Sequence, residues 1–483
     1  MDIRNKRLSD EEFFRERQEV LAMWPTGKGV DLEEAVGYLK GLPASKNAAL
    51  KLLEGKKRGV TQEFISSGAD TVEAHTRLIR YLEEHAQVDF ASSYIDSFTR
   101  NTRFEKAEQG VTEAIKTGKK VLNGFPFAFY GVAGTRKVIN SVGIPVMVWG
   151  PAPDLRLVNE IGLAGGHTGY SGGPLISFWN YTKFVPVETI IRNFQYVHRL
   201  MGYYEERGVP LIYGASGSMP CITPCSLMTA AKIIECLIAA EQGCKHILLQ
   251  NWAQGNIAQD VASIVTYSKL AQEYLGRFGH GDVETITFSV SPTGRYPVDI
   301  AQSYSLISHF SLIGILGKVD LLDVRTIDEA RHLPTEEGMA ASHRCARMTL
   351  NLIKDQKIDM LNSEAVRSEA AMEELEVRAI LDRVLEMGDG DVIVGTVRAV
   401  EAGVLDQPYA TSQRVKCAVI GVKDAQGAAR YLDHGNLPFS REIVDFHKQK
   451  IAERAAEMGR PVGYDTVVKD MTAISLGSLL PTQ

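Results

Sequence analysis

KKVLNGFPFAFYGV, residues Lys119–Val132, is the stretch on which a reading of this chain turns. Val121-Leu122 is a short apolar step that stops at Asn123-Gly124. An Asn-Gly pair after such a step can end a strand, because glycine tolerates backbone angles that other residues avoid; the same pair also makes a plain turn. The grammar recurs along the chain: a helix-length stretch, a short apolar run, then Gly, Pro, Asn or Arg. Repeated strand-then-helix units predict an α/β fold closed into a parallel (β/α)8 barrel. In such barrels the chemistry sits where the strands end, so Asn123 and its counterparts mark where function is to be sought.

Outward from that stretch, the candidate strands are Gly59–Ile65, Val88–Tyr94, Lys119–Leu122, Pro145–Trp149, His167–Phe178, Pro210–Ser216, His246–Gln250, Thr285–Val290 and Val319–Val324. Nine candidates compete for eight places. His167–Phe178 is broken by glycines and reads as partly loop. Lys119–Leu122 is the poorest in apolar residues and rests on its place in the rhythm. Helical periodicity fills the intervals at Val72–His85, Phe104–Thr117, Pro186–Arg207, Thr229–Gln242 and Ala258–Phe278. Before the barrel, Asp10–Trp24 and Asp31–Leu42 read as helices, the second with Asp31 as N-cap and Glu33-Glu34 in its first turn. After it come a charged helix at Glu364–Met387, a hairpin of Val415–Val422 with Ala428–Leu432 across Asp424–Gly427, and a helix at Arg441–Met458. Asp424 and Asp433 read as a solvated face. The expected division is an N-terminal helical arm over 1–57, the barrel over 58–358 and a C-terminal α+β region over 359–483.

Composition narrows the function. Of 483 residues, 45% are hydrophobic and 23% charged, which is ordinary for a globular enzyme. A net charge of −6 argues against a nucleic-acid binder, which needs a basic face. No apolar run approaches the roughly 20 residues of a membrane span. The charged start, MDIRNKRLSDEEFF, does not read as a secretory signal, so a cytoplasmic location is expected. Six cysteines in a chain this long do not make a disulfide framework. Cys221 and Cys225 lack a third nearby cysteine, and no metal site is expected.

Several motifs carry a resemblance. They are DEEFFRERQEVLAMWPTGK near the N-terminus, IDSFTRNTRF at Ile95–Phe104, LNGFP at Leu122–Pro126, AAEQG at Ala239–Gly243, GNIAQD at Gly255–Asp260, TLNLI at Thr349–Ile353 and YLDHGNLPFSREI at Tyr431–Ile443. In these, and colinearly from end to end, the chain resembles the large (epsilon) subunit of methylaspartate mutase, also called glutamate mutase. The resemblance implies a (β/α)8 barrel and an isomerase of the intramolecular-transferase type. It implies adenosylcobalamin held between the barrel mouth and a separate small subunit, whose D-x-H-x-x-G motif supplies a histidine to cobalt. It also implies a homodimer of this chain with two small subunits, and radical rearrangement of a small carboxylic acid. No D-x-H-x-x-G occurs here; Asp433-His434-Gly435 has the wrong spacing. A cobalamin-binding partner is therefore expected.

Residue by residue, the resemblance gives two patterns. The family grips its dicarboxylate with three arginines at strand ends, a residue whose planar fork meets a carboxylate bidentately. Arg100 matches one, whereas Ser66 and Trp149, followed by Gly150, stand at the other two. Two glutamates near the substrate's ammonium become Ser171 and Gly214; a tyrosine becomes Ser177, a phenylalanine becomes Ser216, and Tyr181 is kept. On the adenosyl side Gly68, Asn123 and Glu329 match, Arg325 replaces lysine, Tyr296 stands for another aromatic, and Leu333 keeps the spacing. Asn180 departs from a proline there. Arg295, in place of glycine, is a candidate relocated cation, and His167, in place of tryptophan, a candidate acid-base group.

Bland roles stand beside these. Arg100 can be a structural ion-pair partner, Trp149 core, His167 a satisfied polar residue, Arg295 a solvated loop residue, and Arg325 with Glu329 a helical ion pair. The pattern implies a retained cofactor side and an altered substrate pocket, with poor turnover of glutamate. The competing functions are genuine methylaspartate mutase with its cations supplied from elsewhere, and a non-catalytic large-subunit scaffold. A cofactor-free barrel lyase is the weakest, since no His/Asp/Glu metal constellation supports it.

Overall fold

Eight parallel strands, each paired with its neighbours in chain order, close into a barrel in the computed structural model, which describes residues 3–219, 222–291 and 296–481. They are β1 (Gln62–Ile65), β2 (Phe90–Tyr94), β3 (Val146–Trp149), β4 (Gly169–Ser171), β5 (Ile212–Ala215), β6 (His246–Trp252), β7 (Glu284–Val290) and β8 (Leu321–Asp323). Pairing of β1 with β8 completes the ring, with Phe64 opposite Asp323. The chain therefore has the (β/α)8 architecture read from its sequence.

Alternate strand residues face inward. Phe64, Phe90, Met147, Trp149, Leu248 and Phe288 share one interior cluster, while their neighbours Ala91, Val148 and Leu249 join the outer core beneath the helices. The Trp149 ring lies 4.3 Å from Phe64 and 6.0 Å from Phe288, centroid to centroid, so an aromatic layer fills the barrel just below its mouth. The helix Ala48–Lys57 plugs the opposite end. Its Ala48, Ala49 and Leu52 belong to the interior cluster, and Lys56 Nζ donates to the Thr285 carbonyl at 2.6 Å.

The N-terminal arm lies on the barrel's outer helices. Phe13 is buried 5.2 Å from the Tyr196 ring, and Arg17 pairs with the buried Glu160 at 3.0 Å. Asp31 caps the helix Leu32–Lys40 by accepting from Glu34 N, as its sequence predicts.

Two strand expectations need correction. Lys119–Leu122 forms no strand. Tyr94 of β2 stands directly opposite Trp149 of β3, which leaves no edge for an intervening strand. The β2–β3 crossover instead carries helices at Ser97–Arg100, Phe104–Thr117 and Phe127–Ser141, and the extra helix imitates another strand-helix unit. Val121 is 44% exposed, and the loop is held by Asp70, whose Oδ2 accepts from Val121 N at 2.6 Å and Leu122 N at 3.2 Å. Secondly, His167–Phe178 divides into β4 and a helix at Pro174–Asn180, which starts on proline, where the missing N–H costs no intrahelical bond.

The C-terminal region is built on the helix Glu364–Met387, whose Val377, Ile380, Leu381 and Val384 enter the same outer core as the barrel helices. β9 (Val419–Lys423) and β10 (Ala429–His434) form the expected antiparallel hairpin. Asp424 is not solvated: it is buried, accepts from Ala428 N and pairs with Arg430 at 2.8 Å. The hairpin covers loops on the barrel's mouth side. A Cβ on Gly421 would come 2.2 Å from the Ile222 carbonyl, and Asn256 Nδ2 donates to the Gln426 carbonyl at 2.9 Å. No helix of the described residues is long and apolar enough to cross a membrane.

Candidate active site

Three groups of side chains meet where the strands end. The first lines a cavity of about 160 Å³ between the ends of β1 and β8: Ser66, Gly68, Asn123, Arg325, Glu329 and Leu333. Glycine is needed on this wall. A Cβ on Gly68 would sit 3.1 Å from both Gly124 Cα and the Tyr94 carbonyl, and one on Gly124 would sit 2.4 Å from that carbonyl. Asn123-Gly124 therefore allows two backbones to touch and ends no strand; Phe125 continues as an isolated parallel bridge to Ile95. Asn123 Oδ1 accepts from Ser97 N at 2.9 Å, which ties the wall to the helix carrying Arg100.

Arg325 and Glu329 lie beyond β8 in non-helical chain, so they are no helical pair. Arg325 Nε pairs instead with Asp323 Oδ2 at 2.8 Å, and its guanidinium lies 5.8 Å from the Trp252 ring. Asp323 is fully buried; desolvation raises its pKa, against the pull of Arg325. The buried Tyr296 feels Glu329, Arg325 and Asp323, and burial pushes its phenol well up. Leu333 is 58% exposed at the rim.

The second group surrounds Arg100. Asp96 caps the helix Ser97–Arg100 by accepting from Phe98 N and Thr99 N. The Arg100 guanidinium lies 5.3 Å from the Tyr94 ring and 5.6 Å from the Tyr181 ring, and its buried Nε has no hydrogen-bond partner among the described residues. Gly150 follows β3 with φ +126°, and a Cβ there would stand 3.7 Å from Arg100 Cδ. Burial pushes the Tyr181 phenol up to about 12, with Tyr94 adding to the rise. Trp149, 8% exposed, stands in register between Tyr94 of β2 and Ser171 of β4.

The third group is neutral. Gln250 Nε2 donates to Ser171 Oγ, and Ser216 Oγ donates to Gln250 Oε1 at 3.0 Å. All three side chains are buried. Gly214 makes room for them, since a Cβ there would be 2.7 Å from Ser171 Oγ.

His167 does not reach the mouth. It precedes β4, with Nδ1 against the Gly162 carbonyl at 3.1 Å and Nε2 against Ser93 Oγ at 2.8 Å, behind the barrel wall. Burial lowers its pKa to about 3, so it is a neutral, satisfied group. Ser177 is buried in the helix Pro174–Asn180, and its hydroxyl has no partner among the described residues; the same holds for Asn180 Oδ1. Arg295 lies outside the described residues, as does Cys221. Among the described residues no group of three His, Cys, Asp or Glu is placed to hold a metal ion.

Sequence reading missed Tyr94, Gln250 and Asp323. Each is a polar residue at or near the end of its strand, β2, β6 or β8.

A parallel barrel whose polar side chains converge at the strand ends has the architecture of a barrel enzyme. Residues 42–482 match the methylaspartate mutase E chain family, and the chain belongs to that family. It is 42% identical over 481 residues to the glutamate mutase epsilon subunit of Desulfitobacterium hafniense (strain Y51), covering 99% of each chain. The glutamate mutase epsilon subunit of Treponema denticola is 37% identical over 478 residues, which cover 99% of this chain and 98% of that one. That of Escherichia coli O157:H7 is 35% identical over 482 residues, covering 99% of each. The family makes this chain a mutase subunit.

Proposed function

We propose that this chain is the large subunit of an adenosylcobalamin-dependent carbon-skeleton mutase that rearranges a small carboxylic acid other than glutamate. The carrying observation is a contrast at one barrel mouth. Five of the expected adenosyl-side positions share the β1–β8 cavity, with Ser66 of the substrate side beside them, whereas the substrate side offers Arg100 as its unpaired guanidinium among the described residues.

The residues fit a nucleoside. Gly68 and Gly124 let the cavity wall lie close, Asn123 and Arg325 bring hydrogen-bond donors, and the Glu329 carboxylate is an acceptor suited to ribose hydroxyls. When bound, adenosylcobalamin supplies homolytic hydrogen-atom chemistry. The chain's own residues bind, orient and exclude water. Arg100 receives the substrate carboxylate through its fork. Tyr94 and Tyr181 hold the guanidinium over their rings, and Trp149 with Phe64 and Phe288 keeps the barrel interior below apolar. Ser66 and Trp149 give no charge where the family has arginines, and losing such pairs costs a dicarboxylate about 2–5 kcal/mol each.

A small D-x-H-x-x-G subunit would bring the cobalamin to the mouth, within an assembly containing two copies of each chain. Reconstitution with that subunit and adenosylcobalamin tests the reading. A paramagnetic signal that depends on an added carboxylic acid supports it, and silence with every acid tried, despite normal assembly, points to a scaffold.

A further inference from the structure

Charge is distributed unevenly around the substrate side of the mouth. On one side, Arg100 has its guanidinium over the Tyr94 and Tyr181 rings and an unmet buried Nε. Arg325, the other guanidinium there among the described residues, is held by Asp323 at 2.8 Å. One carboxylate can thus be gripped by a free fork, and among the described residues no second unpaired guanidinium stands beside it.

Across the ring, on β6, four strands from β2, lies the amide of Gln250. Its bonds with Ser171 and Ser216 use one N–H and one lone pair, so one of each remains. The buried acid behind this wall, Glu235, is already committed: its oxygens accept from Leu175 N at 3.0 Å, Ser216 N at 2.9 Å and Gly217 N at 2.8 Å. An ammonium group here would be desolvated against neutral dipoles, with the Glu235 oxygens already answered by three backbone N–H groups. An uncharged hydroxyl or carbonyl would find both a donor and an acceptor in one amide.

We infer that the site takes a small monocarboxylic acid whose second polar group is uncharged and is read by Gln250, in place of an amino dicarboxylic acid. This rests on Arg100 as the carboxylate anchor of the proposed function. Gln250 is the specificity-determining residue, and Gly214 is its accomplice. A side chain at 214 would collide with Ser171 and come 3.1 Å from Gln250 Nε2.

The test uses a matched pair of probes, 3-hydroxybutyrate and 3-aminobutyrate, with L-glutamate as third ligand. Each is titrated calorimetrically into the full chain and into the variants Gln250→Glu, Gln250→Met and Arg100→Gln, with melting curves to show that each variant is folded. Wild type should bind 3-hydroxybutyrate on the order of tenfold or more tightly than either ammonium-bearing probe. Gln250→Glu should reverse the order within the matched pair, Gln250→Met should abolish the preference, and Arg100→Gln should weaken every probe on the order of tenfold or more. Tighter Arg100-dependent binding of L-glutamate overturns this inference and leaves the mutase reading standing. Binding that ignores Arg100→Gln overturns the anchor, and the inference falls with it.

Discussion

Arg100 lies against two phenol rings with a buried nitrogen unmet, whereas His167 has both ring nitrogens occupied. The resemblance nominates both, Arg100 as a kept arginine and His167 in place of a tryptophan, and geometry separates them. His167 enters from the turn after the helix Arg156–Ala164, and its N–H bonds back to the Gly162 carbonyl, so its ring tucks behind the wall. Its pKa of about 3 against 6.5 makes a signed prediction. Between those values the unfolded chain binds the proton that the folded chain refuses. The stability this residue confers is therefore complete above pH 6.5 and is lost as pH falls toward 3. His167→Gln should cost about 1–3 kcal/mol at neutral pH, and the deficit should shrink by roughly 1.4 kcal/mol per pH unit below 6.5. Glu235 and Asp260, held up at about 7 by burial, tilt wild-type stability the other way. Denaturant titrations of variant and wild type at matched pH isolate the histidine, and a deficit constant with pH would contradict its neutral burial.

At the scale of elements, the chain spells out its barrel well. Eight of the nine apolar runs contain a strand, because a buried parallel strand is a short apolar run with a breaker behind it. The ninth, Lys119–Leu122, failed because a crossover with several helices has the same rhythm as another unit, and periodicity along the chain carries no information on which strands are neighbours. The site was legible in part for the same reason. Residues closing a run, such as Arg325 and Asn123, are at the mouth, while the Gln250 network needed three strands to be laid side by side. The Val121–Gly124 loop depends on one carboxylate. Asp70→Ala leaves two backbone N–H groups unanswered and should destabilise the chain by about 2 kcal/mol. Gly124→Ala forces a Cβ to within 2.4 Å of the Tyr94 carbonyl and should cost about 1–3 kcal/mol. Both are read from denaturant midpoints, and a wild-type midpoint for either would show that this wall is not held as described.

Across the whole molecule the C-terminal region is part of the barrel's support. Glu373 of the helix Glu364–Met387 accepts from Thr229 and Ser263 on two barrel helices, and Arg378 pairs with Glu273 at 2.6 Å. Removing residues 359–483 would uncover Val377's partners and empty part of the outer core. A chain ending at residue 358 should be insoluble or lack a cooperative thermal transition, checked by circular dichroism, and a soluble fragment that melts sharply would contradict this shared core.

In the proposed function, one end of the mouth serves a nucleoside-bearing cofactor while the other has lost its grip on glutamate. Conversion of L-glutamate to 3-methylaspartate by the complex reconstituted with its small subunit and adenosylcobalamin measures this most directly. No turnover of L-glutamate is expected, in a complex that gives a carboxylic-acid-dependent paramagnetic signal with 3-hydroxybutyrate or a similar monocarboxylate. Efficient formation of 3-methylaspartate would contradict it.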